Sequence, residues 1–559
     1  MDLLVAAIPL VPILSAILIL LLQEQLRHHS AWLSTSAAFL TFLLAVVVLV
    51  IEVTGEEVAQ SGMGEAGGYL LADPLSAIMG VLIAGISLIV HKFSIRYMAE
   101  EAGYARFFML LDLMTASLLV LVSASDMLTL VVAWHLVGVL LYLLLGHDTS
   151  RTNSLRYAFW TFITYRLGDI ALVLGVVVLV HTYDTWSIPE LLRLVREDPH
   201  AMSLLGVPAT QAAALLMSVA AFARSAQFLL HNWLPYTMDG PTPVSALMHA
   251  GIVNAGGFLI NRFAPVFVYS GDVLHLLFIM GLVTAIIGSV LMLAQNDIKK
   301  SLGYSTMGQM GFMIMECGVG AFSLAIYHLI AHGLFKGALF LGAGGVIGAA
   351  RHDDGVPKED LYTFVIERRP ARRQPPWLFM AAVTLIIPVF VLVLAHLLVQ
   401  QDFFQKQGAV VLLFFGWITG AQLIFATYRM RSERPGRLLA LVLSSFVVVV
   451  VGYALISHVF EQFLYPDEKF LQLMHHASSI DIVWFDILVV VTTLIIVGGW
   501  LLTYYAEKSG KNRSYSPGRL RLILYALISR EFYLADIYTW MSRGLLRLAA
   551  RLNVLLRWA

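Results

Sequence analysis

The sequence is poor in charged residues and nearly devoid of cysteine. Of its 559 residues, 13% are Asp, Glu, Lys or Arg and 59% are apolar. Soluble domains carry about 25% charged residues, so the composition excludes that class and indicates an integral membrane protein. The single cysteine, Cys317, excludes an internal disulfide framework and any cysteine-ligated cluster or zinc site.

Long apolar runs follow one another along the chain. A helix needs about 20 apolar residues to cross the hydrocarbon core of a bilayer. We predict about fifteen such helices, numbered in chain order: 3–22, 31–51, 74–95, 104–122, 124–146, 158–181, 210–231, 243–262, 272–294, 300–317, 322–349, 377–400, 408–428, 437–459 and 480–505. The first run lacks a basic start and a cleavage site, so we expect a retained helix and not a signal peptide. The predicted fold class is an all-α, polytopic membrane protein.

Basic residues concentrate in the loops that follow odd-numbered predicted helices. The loop from 351 to 373 holds six, whereas the loop after predicted helix 2 holds four glutamates and neither Lys nor Arg. Because loops rich in Lys and Arg stay in the cytoplasm, we predict a bacterial inner-membrane protein with a periplasmic N-terminus and a cytoplasmic C-terminus. The tail, 518–559, spaces arginines among apolar residues and is predicted to form an amphipathic helix on the membrane surface; the alternative is a partner-binding arm.

Ionisable residues inside the predicted helices are the main functional signal. Each costs roughly 2.5 to 3.5 kcal/mol at mid-bilayer, so each indicates an ion pathway or an ion pair. They are Asp112, His135, Arg166, Asp169, Arg224, His231, His249, His328, His332 and Lys336. Arg166 and Asp169, three residues apart, are equally explained by a structural ion pair.

The last three of these residues recur at a helical spacing. His328, His332 and Lys336 lie four residues apart, which places three proton-binding groups along about 12 Å of one helix face. We predict that this row carries protons. The same spacing suits zinc, but the neighbouring sequence offers no carboxylate or cysteine to complete a site, so no metal and no cofactor is expected in this chain.

Proline clusters predict two broken helices, 7 and 12. Pro235, Pro241 and Pro243 follow predicted helix 7, and Pro388 lies inside predicted helix 12. Two breaks five helices apart suggest two inverted five-helix repeats. The predicted domains are 1–103 with helices 1–3, 104–262 with repeat 1, 263–428 with repeat 2 and a cytoplasmic loop at 350–376, 429–517 with helices 14–15, and the tail 518–559.

Three ordered motifs resemble the antiporter-like membrane subunits of respiratory complex I and of multisubunit sodium/proton antiporters. They are HNWLPYTMDGPTPVSALMH at 231–249, DIKKSLGYSTMGQMG at 297–311 and HLIAHGLFK at 328–336. The resemblance implies proton channels built from inverted repeats. The positions that match the proton path of the family are His249, Lys299, His328, His332 and Lys336.

Three positions depart from the pattern of that family. His135 and Arg224 stand where the family has a glutamate and a lysine, and predicted helix 12 contains no lysine. In these departures the chain resembles the membrane subunits (DabB) of DAB inorganic-carbon accumulation complexes. That resemblance implies a proton- or cation-translocating subunit, not itself an enzyme, on which a large cytoplasmic zinc protein related to β-carbonic anhydrases (DabA) docks. Proton motive force would then drive CO2 hydration and bicarbonate accumulation on the partner, which would hold the zinc.

Two other functions stay open. A proton-pumping subunit of complex I or of an Mrp-type antiporter is disfavoured by the three departures. A passive membrane anchor is disfavoured because it could replace each buried charge with an apolar residue and gain stability.

Two further expectations concern charge. Arg224 should favour proton release from His135, with Asp112 as the compensating negative charge. We expect the loop from Arg351 to Gln374 and the break near Asp239 to form much of the surface on which the partner docks, with Arg368, Arg369, Arg372 and Arg373 as its basic contacts. The alternative is that these basic residues only keep the loop in the cytoplasm.

Overall fold

The computed structural model describes residues 2–26, 29–54, 70–204, 206–237, 240–295, 297–351, 459–477 and 519–556. Within these ranges the chain forms helices and isolated bridges and no strand. The helices are α1 (Asp2–Leu21), α2 (Gln23–Leu26), α3 (His29–Thr54), α4 (Pro74–Tyr97), α5 (Tyr104–Ser123), α6 (Met127–Leu145), α7 (Thr152–Tyr183), α8 (Ile188–Glu197), α9 (Ala209–Arg224), α10 (Trp233–Tyr236), α11 (Thr242–Leu247), α12 (Ala255–Arg262), α13 (Ala264–Val268), α14 (Gly271–Ala294), α15 (Ile298–Gly318), α16 (Phe322–Arg351), α17 (Glu468–Ala477), α18 (Arg519–Ser529) and α19 (Leu534–Leu556).

Eight helices of the described part are long and apolar enough to cross a membrane. They lie in α1, α3, α4, α5, α6, α7, α14 and α16, which correspond to predicted helices 1–6, 9 and 11. The all-α membrane class is therefore confirmed. Predicted helices 12 and 13, nearly all of 14, and 15 lie outside the described residues, so the count of fifteen stays a prediction.

The first long helices form a bundle in which α1 packs on α3 and α5, and α4 packs on α3 and α5. Asp73 and Ser76 form a capping box at the start of α4, with Pro74 in the first turn, where a missing N–H costs nothing. Asp73 also pairs with Arg262 at the end of α12. Burial would raise the pKa of Asp73, but the Arg262 guanidinium and the hydrogen bonds to Ser76 lower it below its ordinary value.

Helices α14 and α15 touch through their backbones. A Cβ atom added at Gly288 would lie 2.6 Å from the Gly308 backbone nitrogen, and one added at Gly281 would lie 2.5 Å from that of Met315. Small residues permit such an approach, which is a common way to pack helices in a bilayer. The pair holds α15, and the site residues on it, at a fixed distance from α14.

The chain is interrupted in the segment that holds the three prolines and also before it. Helix α9 ends at Arg224, seven residues before the predicted end of helix 7, because Ala226 and Leu229 take left-handed φ values of 48° and 73°. The single turn α10, the short α11 and a π turn at Met248–Ile252 follow. Broken helix 7 is confirmed, and the irregular region extends into predicted helix 8. The predicted break in helix 12 lies outside the described residues.

The C-terminal tail contains two described helices where one was predicted. Between α18 and α19, the turn Glu531–Tyr533 has φ values of 56°, 55° and 58°. The expectation of one continuous amphipathic helix is therefore wrong, because three consecutive left-handed residues cannot continue a right-handed helix. Helix α8, a short element that the sequence analysis did not predict, lies between α7 and α9.

By its internal contacts the chain divides into two units. The first consists of Met1–Gly318, His328–Gly344 and Gly518–Ala559, and the second of Val319–Tyr327 and Gly345–Pro517. All contacts of the candidate site described below lie within the first unit. The predicted repeat boundaries stay a prediction.

Candidate proton pathway

The row predicted on one helix face lies on α16 and begins with an ion pair. Nδ1 of His328 is 3.0 Å from a carboxylate oxygen of Glu316, and its Nε2 is 2.8 Å from the Gln309 side-chain oxygen. Both ring nitrogens thus face acceptors, an arrangement that suits the protonated, doubly donating imidazole. Glu316 was missed in the sequence analysis, although it lies within predicted helix 10.

The row continues along α16 through two buried groups. Lys336 Nζ donates a 2.7 Å hydrogen bond to Ser305 Oγ on α15. His332 lies between His328 and Lys336 along the helix and interacts electrostatically with both of them and with His249. The structure therefore brings together four of the five residues that matched the family's proton path.

His249 reaches this row from a distorted part of the broken segment. It lies in the π turn Met248–Ile252, and its ring stacks on Phe340 of α16 with centroids 4.2 Å apart. A π turn inserts an extra residue into a helix and is frequent at functional sites. Here it directs the His249 ring towards α16.

Several buried polar side chains near the broken segment and the row have atoms without a protein partner in the described part of the chain. They belong to His231, Asn232, Ser245, His249 and His332. Buried polar groups of this kind are normally satisfied by ordered water. The arrangement is therefore suited to proton transfer through water between imidazole rings.

A second cluster joins helices α6, α7 and α9 around one carboxylate. Asp169 lies 2.8 Å from Arg166, 3.0 Å from His135 Nδ1 and 3.6 Å from Arg224. Arg166 also reaches His135, 2.8 Å from its Nε2. With His135 neutral, two guanidinium groups and one carboxylate leave one net positive charge. The His135 side chain is 52% exposed, so it is the most accessible member.

Several contacts hold the Arg224 guanidinium in place. Its guanidinium donates a 2.6 Å hydrogen bond to the Trp134 carbonyl oxygen and lies 4.5 Å and 4.1 Å from the ring centroids of Trp134 and Tyr165. Gly138 makes room for both arginines: a Cβ atom there would lie 2.7 Å from Arg166 and 3.5 Å from Arg224. The predicted Arg166–Asp169 ion pair is thus part of a larger cluster.

Asp112 does not belong to this cluster, so its predicted role as the charge that compensates Arg224 is wrong. Its carboxylate accepts 2.8 Å hydrogen bonds from Ser15 and Ser34 and lies 3.1 Å from His91 Nε2. All four side chains are buried. They join α1, α3, α4 and α5, and Asp169 provides the charge that Asp112 was expected to supply.

Lys299, the fifth matched residue, lies at the start of α15. Its Nζ donates a 3.2 Å hydrogen bond to Thr242 Oγ1, which lies 3.0 Å from Tyr97 Oη. Lys299 therefore contacts the first residue of α11, beyond the break. In the ranges that the structure describes, no group of three His, Cys, Asp or Glu side chains could hold a metal ion. The predicted docking residues lie outside those ranges: Asp239, Arg368, Arg369, Arg372 and Arg373.

Two family models match the chain. The model for the transmembrane part of NADH:quinone oxidoreductase and Mrp antiporters matches residues 124–419, and the model for the N-terminus of complex I chain 5 matches residues 68–108. Among solved structures, the Mrp complex from Dietzia sp. aligns with a TM-score of 0.59 at 22% identity, covering 99% of this chain and 63% of that one. An archaeal membrane-bound sulfane sulfur reductase aligns with a TM-score of 0.58 at 17% identity over 85% of this chain and 98% of that one.

Curated relatives divide by how much of their length is matched. A probable inorganic carbon transporter subunit, DabB1, of Halothiobacillus neapolitanus is 56% identical over 99% of both chains. The chloroplast NAD(P)H-quinone oxidoreductase subunit 5 of Chloranthus spicatus is 40% identical over 50% of this chain and 38% of its own length. The chain is therefore an antiporter-like, proton-translocating membrane subunit of the complex I and Mrp family. Within that family it belongs to the DabB type.

Proposed function

We propose that this chain is the proton-translocating subunit of an inorganic-carbon accumulation complex. Protons flowing down their gradient would drive CO2 hydration to bicarbonate on a docked cytoplasmic zinc subunit of the DabA type, related to β-carbonic anhydrases. Catalysis and zinc belong to that partner, and this chain supplies the energy. The name of the Halothiobacillus relative supports the carbon substrate.

The observation that carries the proton role is the set of buried ionisable side chains on α16 and its neighbours. His328 with Glu316, His332, Lys336 and His249 lie together, buried or nearly so, on α16 and the segments packed against it. An anchor has no use for such a set, because each buried charge is costly in a bilayer. The reading as a passive anchor is correspondingly weak.

The His135 cluster favours energy coupling over the ordinary pumping of complex I or an antiporter. A lysine with a lowered pKa can release its proton, whereas an arginine stays charged. Arg224 is a fixed charge, and His135 is the group beside it that can bind and release a proton. The cluster can respond to a proton gradient even if the chain does not keep the direction or the proton stoichiometry of complex I or of an antiporter.

The energy required is modest. One proton that crosses 100 mV yields about 2.3 kcal/mol, which shifts an equilibrium by a factor of about 50. One or two protons per turnover are therefore enough to make hydration of CO2 effectively irreversible.

The test combines purification with transport. The tagged chain is purified from its native membrane, and bound proteins are identified and assayed for zinc; bicarbonate accumulation is then measured in cells with and without a protonophore. We expect a large zinc protein to copurify and accumulation to stop with the protonophore. Accumulation that persists without a proton gradient would disprove coupling, and copurified quinone-reductase subunits would favour the complex I reading.

A further inference from the structure

The C-terminal tail places a carboxylate in the interior of the first unit. Glu531 is 3% exposed, although it lies in a tail whose neighbouring helices are mostly exposed. Tyr236 Oη donates a 2.7 Å hydrogen bond to its Oε2, and Lys300 Nζ lies 3.4 Å from its Oε1. These two partners come from the broken segment and from the start of α15.

The backbone adopts an uncommon conformation to bring Glu531 to this position. Residues 531–533 are all left-handed, a region that non-glycine residues seldom occupy. Contacts on the next helix hold the tail in place: Tyr538 Oη donates to the Leu229 carbonyl oxygen at 2.6 Å, and Arg156 donates to Thr539 Oγ1 at 2.9 Å. Such backbone conformations concentrate at functional sites.

The residues around Glu531 range from partly exposed to fully buried. Lys300 is 30% exposed, whereas Tyr304, one turn further along α15, is fully buried beside the same carboxylate. The Tyr304 ring lies 6.4 Å from that of His231, whose ring nitrogens have no partner in the described part of the chain. Glu531 thus lies between the partly exposed Lys300 and the polar groups of the broken segment.

We propose that Glu531 is a proton-exchange residue, which passes protons between solvent on the predicted cytoplasmic side and the broken segment. A hydronium ion in the solvent gives one proton to a carboxylate oxygen and becomes water, and the acid later gives one proton to a ring nitrogen of the broken segment such as that of His231. In each step one bond to hydrogen forms as another breaks, and no electron moves. Binding of the proton neutralises the charge that faces Lys300. The proposal rests on the proton translocation in the proposed function, but on neither the carbon substrate nor the partner.

The alternative is that the Glu531–Lys300 ion pair only docks the tail. The variant Glu531→Gln separates the two roles, because the amide keeps the size and can still accept the Tyr236 hydrogen bond but cannot bind a proton. Proton flux is measured in vesicles that contain the intact complex, under an imposed pH gradient. We expect Glu531→Gln to lower the flux about tenfold or more, Glu531→Asp to restore part of it, and Asp536→Asn, at an exposed acid on α19, to leave it unchanged.

Docking of the tail is monitored by a bismaleimide cross-link between Arg156→Cys and Thr539→Cys. The only native thiol of the chain, Cys317, is buried and should not react. A docked Glu531→Gln tail with full flux would overturn the proposal. If the tail undocks, flux is measured again with the cross-link in place: recovery would show that docking alone matters and would overturn the proposal, whereas low flux supports it. An unmodified complex without flux would instead disprove the proposed function.

Discussion

At the scale of single residues, the chain pairs a fixed charge with a titratable one. Arg224 contacts a carbonyl oxygen, two aromatic rings and Asp169, so its positive charge lies next to the His135 cluster. A histidine is neutral when empty and positive when loaded, whereas a glutamate is negative and then neutral. His135 therefore makes the same charge step as the family's glutamate, offset by one unit, beside the Asp169 carboxylate.

Removal of His135 should separate assembly from energy coupling. We expect His135→Ala to leave the complex assembled but insensitive to the proton gradient, and His135→Glu to fail because a second carboxylate beside Asp169 changes the charge offset. Bicarbonate accumulation with and without a protonophore is the measurement, with Leu136→Ala, an exposed neighbour, as control. If His135→Ala accumulates bicarbonate normally and still responds to the protonophore, His135 is a packing residue.

Lys336 and His332 should be essential for function but not for insertion. Replacing either with alanine removes a buried group whose mid-bilayer cost is roughly 2.5 to 3.5 kcal/mol for a charge, so Lys336→Ala and His332→Ala should insert normally and abolish proton flux. Growth at low inorganic carbon and the amount of protein in the membrane are measured together. Leu334→Ala, an exposed residue of the same helix, is the matched control. Normal growth of either variant would contradict a relay on α16.

The sequence was sufficient to predict contacts along one helix and not contacts between helices. The α16 row and the Arg166–Asp169 pair follow from spacing alone. Glu316 meets His328 across two helices, and His91, which lies inside predicted helix 3, was not singled out although it contacts Asp112 on another helix. Asp112 was expected in the wrong cluster for the same reason, since cost inside a bilayer shows that a charge needs a partner but not which one.

At the scale of helices, hydropathy predicts which residues are apolar enough to lie in the membrane, but it predicts their backbone conformation less well. Phe228, Leu229 and Leu230 extend the apolar run of predicted helix 7, yet the helix has already ended at Arg224. The prolines correctly predicted a broken helix because they remove backbone donors, but the helix ends before the first of them, Pro235. Helix α8 was not predicted because its ten residues are too few for a span and too polar for an apolar run.

The glycine contact between α14 and α15 gives a stability prediction. Gly288→Ala would force a methyl group onto the Gly308 backbone, and such overpacking costs about 1 to 3 kcal/mol. Gly80→Ala in α4 is the control, because no atom lies within 4 Å of its added Cβ and alanine favours a helix by roughly 0.5 to 1 kcal/mol. Thermal unfolding in detergent should show a lower midpoint for Gly288→Ala only. Equal midpoints would mean that the two helices can separate slightly without loss.

At the scale of the whole molecule, the prediction concerns the partner. Reversal of Arg368, Arg369, Arg372 and Arg373 to glutamate should release the docked subunit and make any remaining binding less sensitive to salt, because exposed charges at an interface are screened. The control reverses the same number of charges in another loop predicted to be cytoplasmic: Arg429, Arg431, Arg434 and Arg437. Copurification is the measurement. Equal loss in both variants would indicate that these arginines only set the orientation of the chain.

The position of Glu531 late in the sequence affects whether a partly synthesised chain can leak protons across the membrane. The ribosome synthesises Glu531 after every predicted membrane span. A growing chain can therefore hold its histidine row in the bilayer before Glu531, the proposed proton-exchange residue, is present. A nascent chain would then be unable to leak protons and dissipate the membrane potential. A chain that ends at residue 517 should accordingly insert without toxicity and without conductance, and a measurable leak from it would show that the tail serves to seal the route.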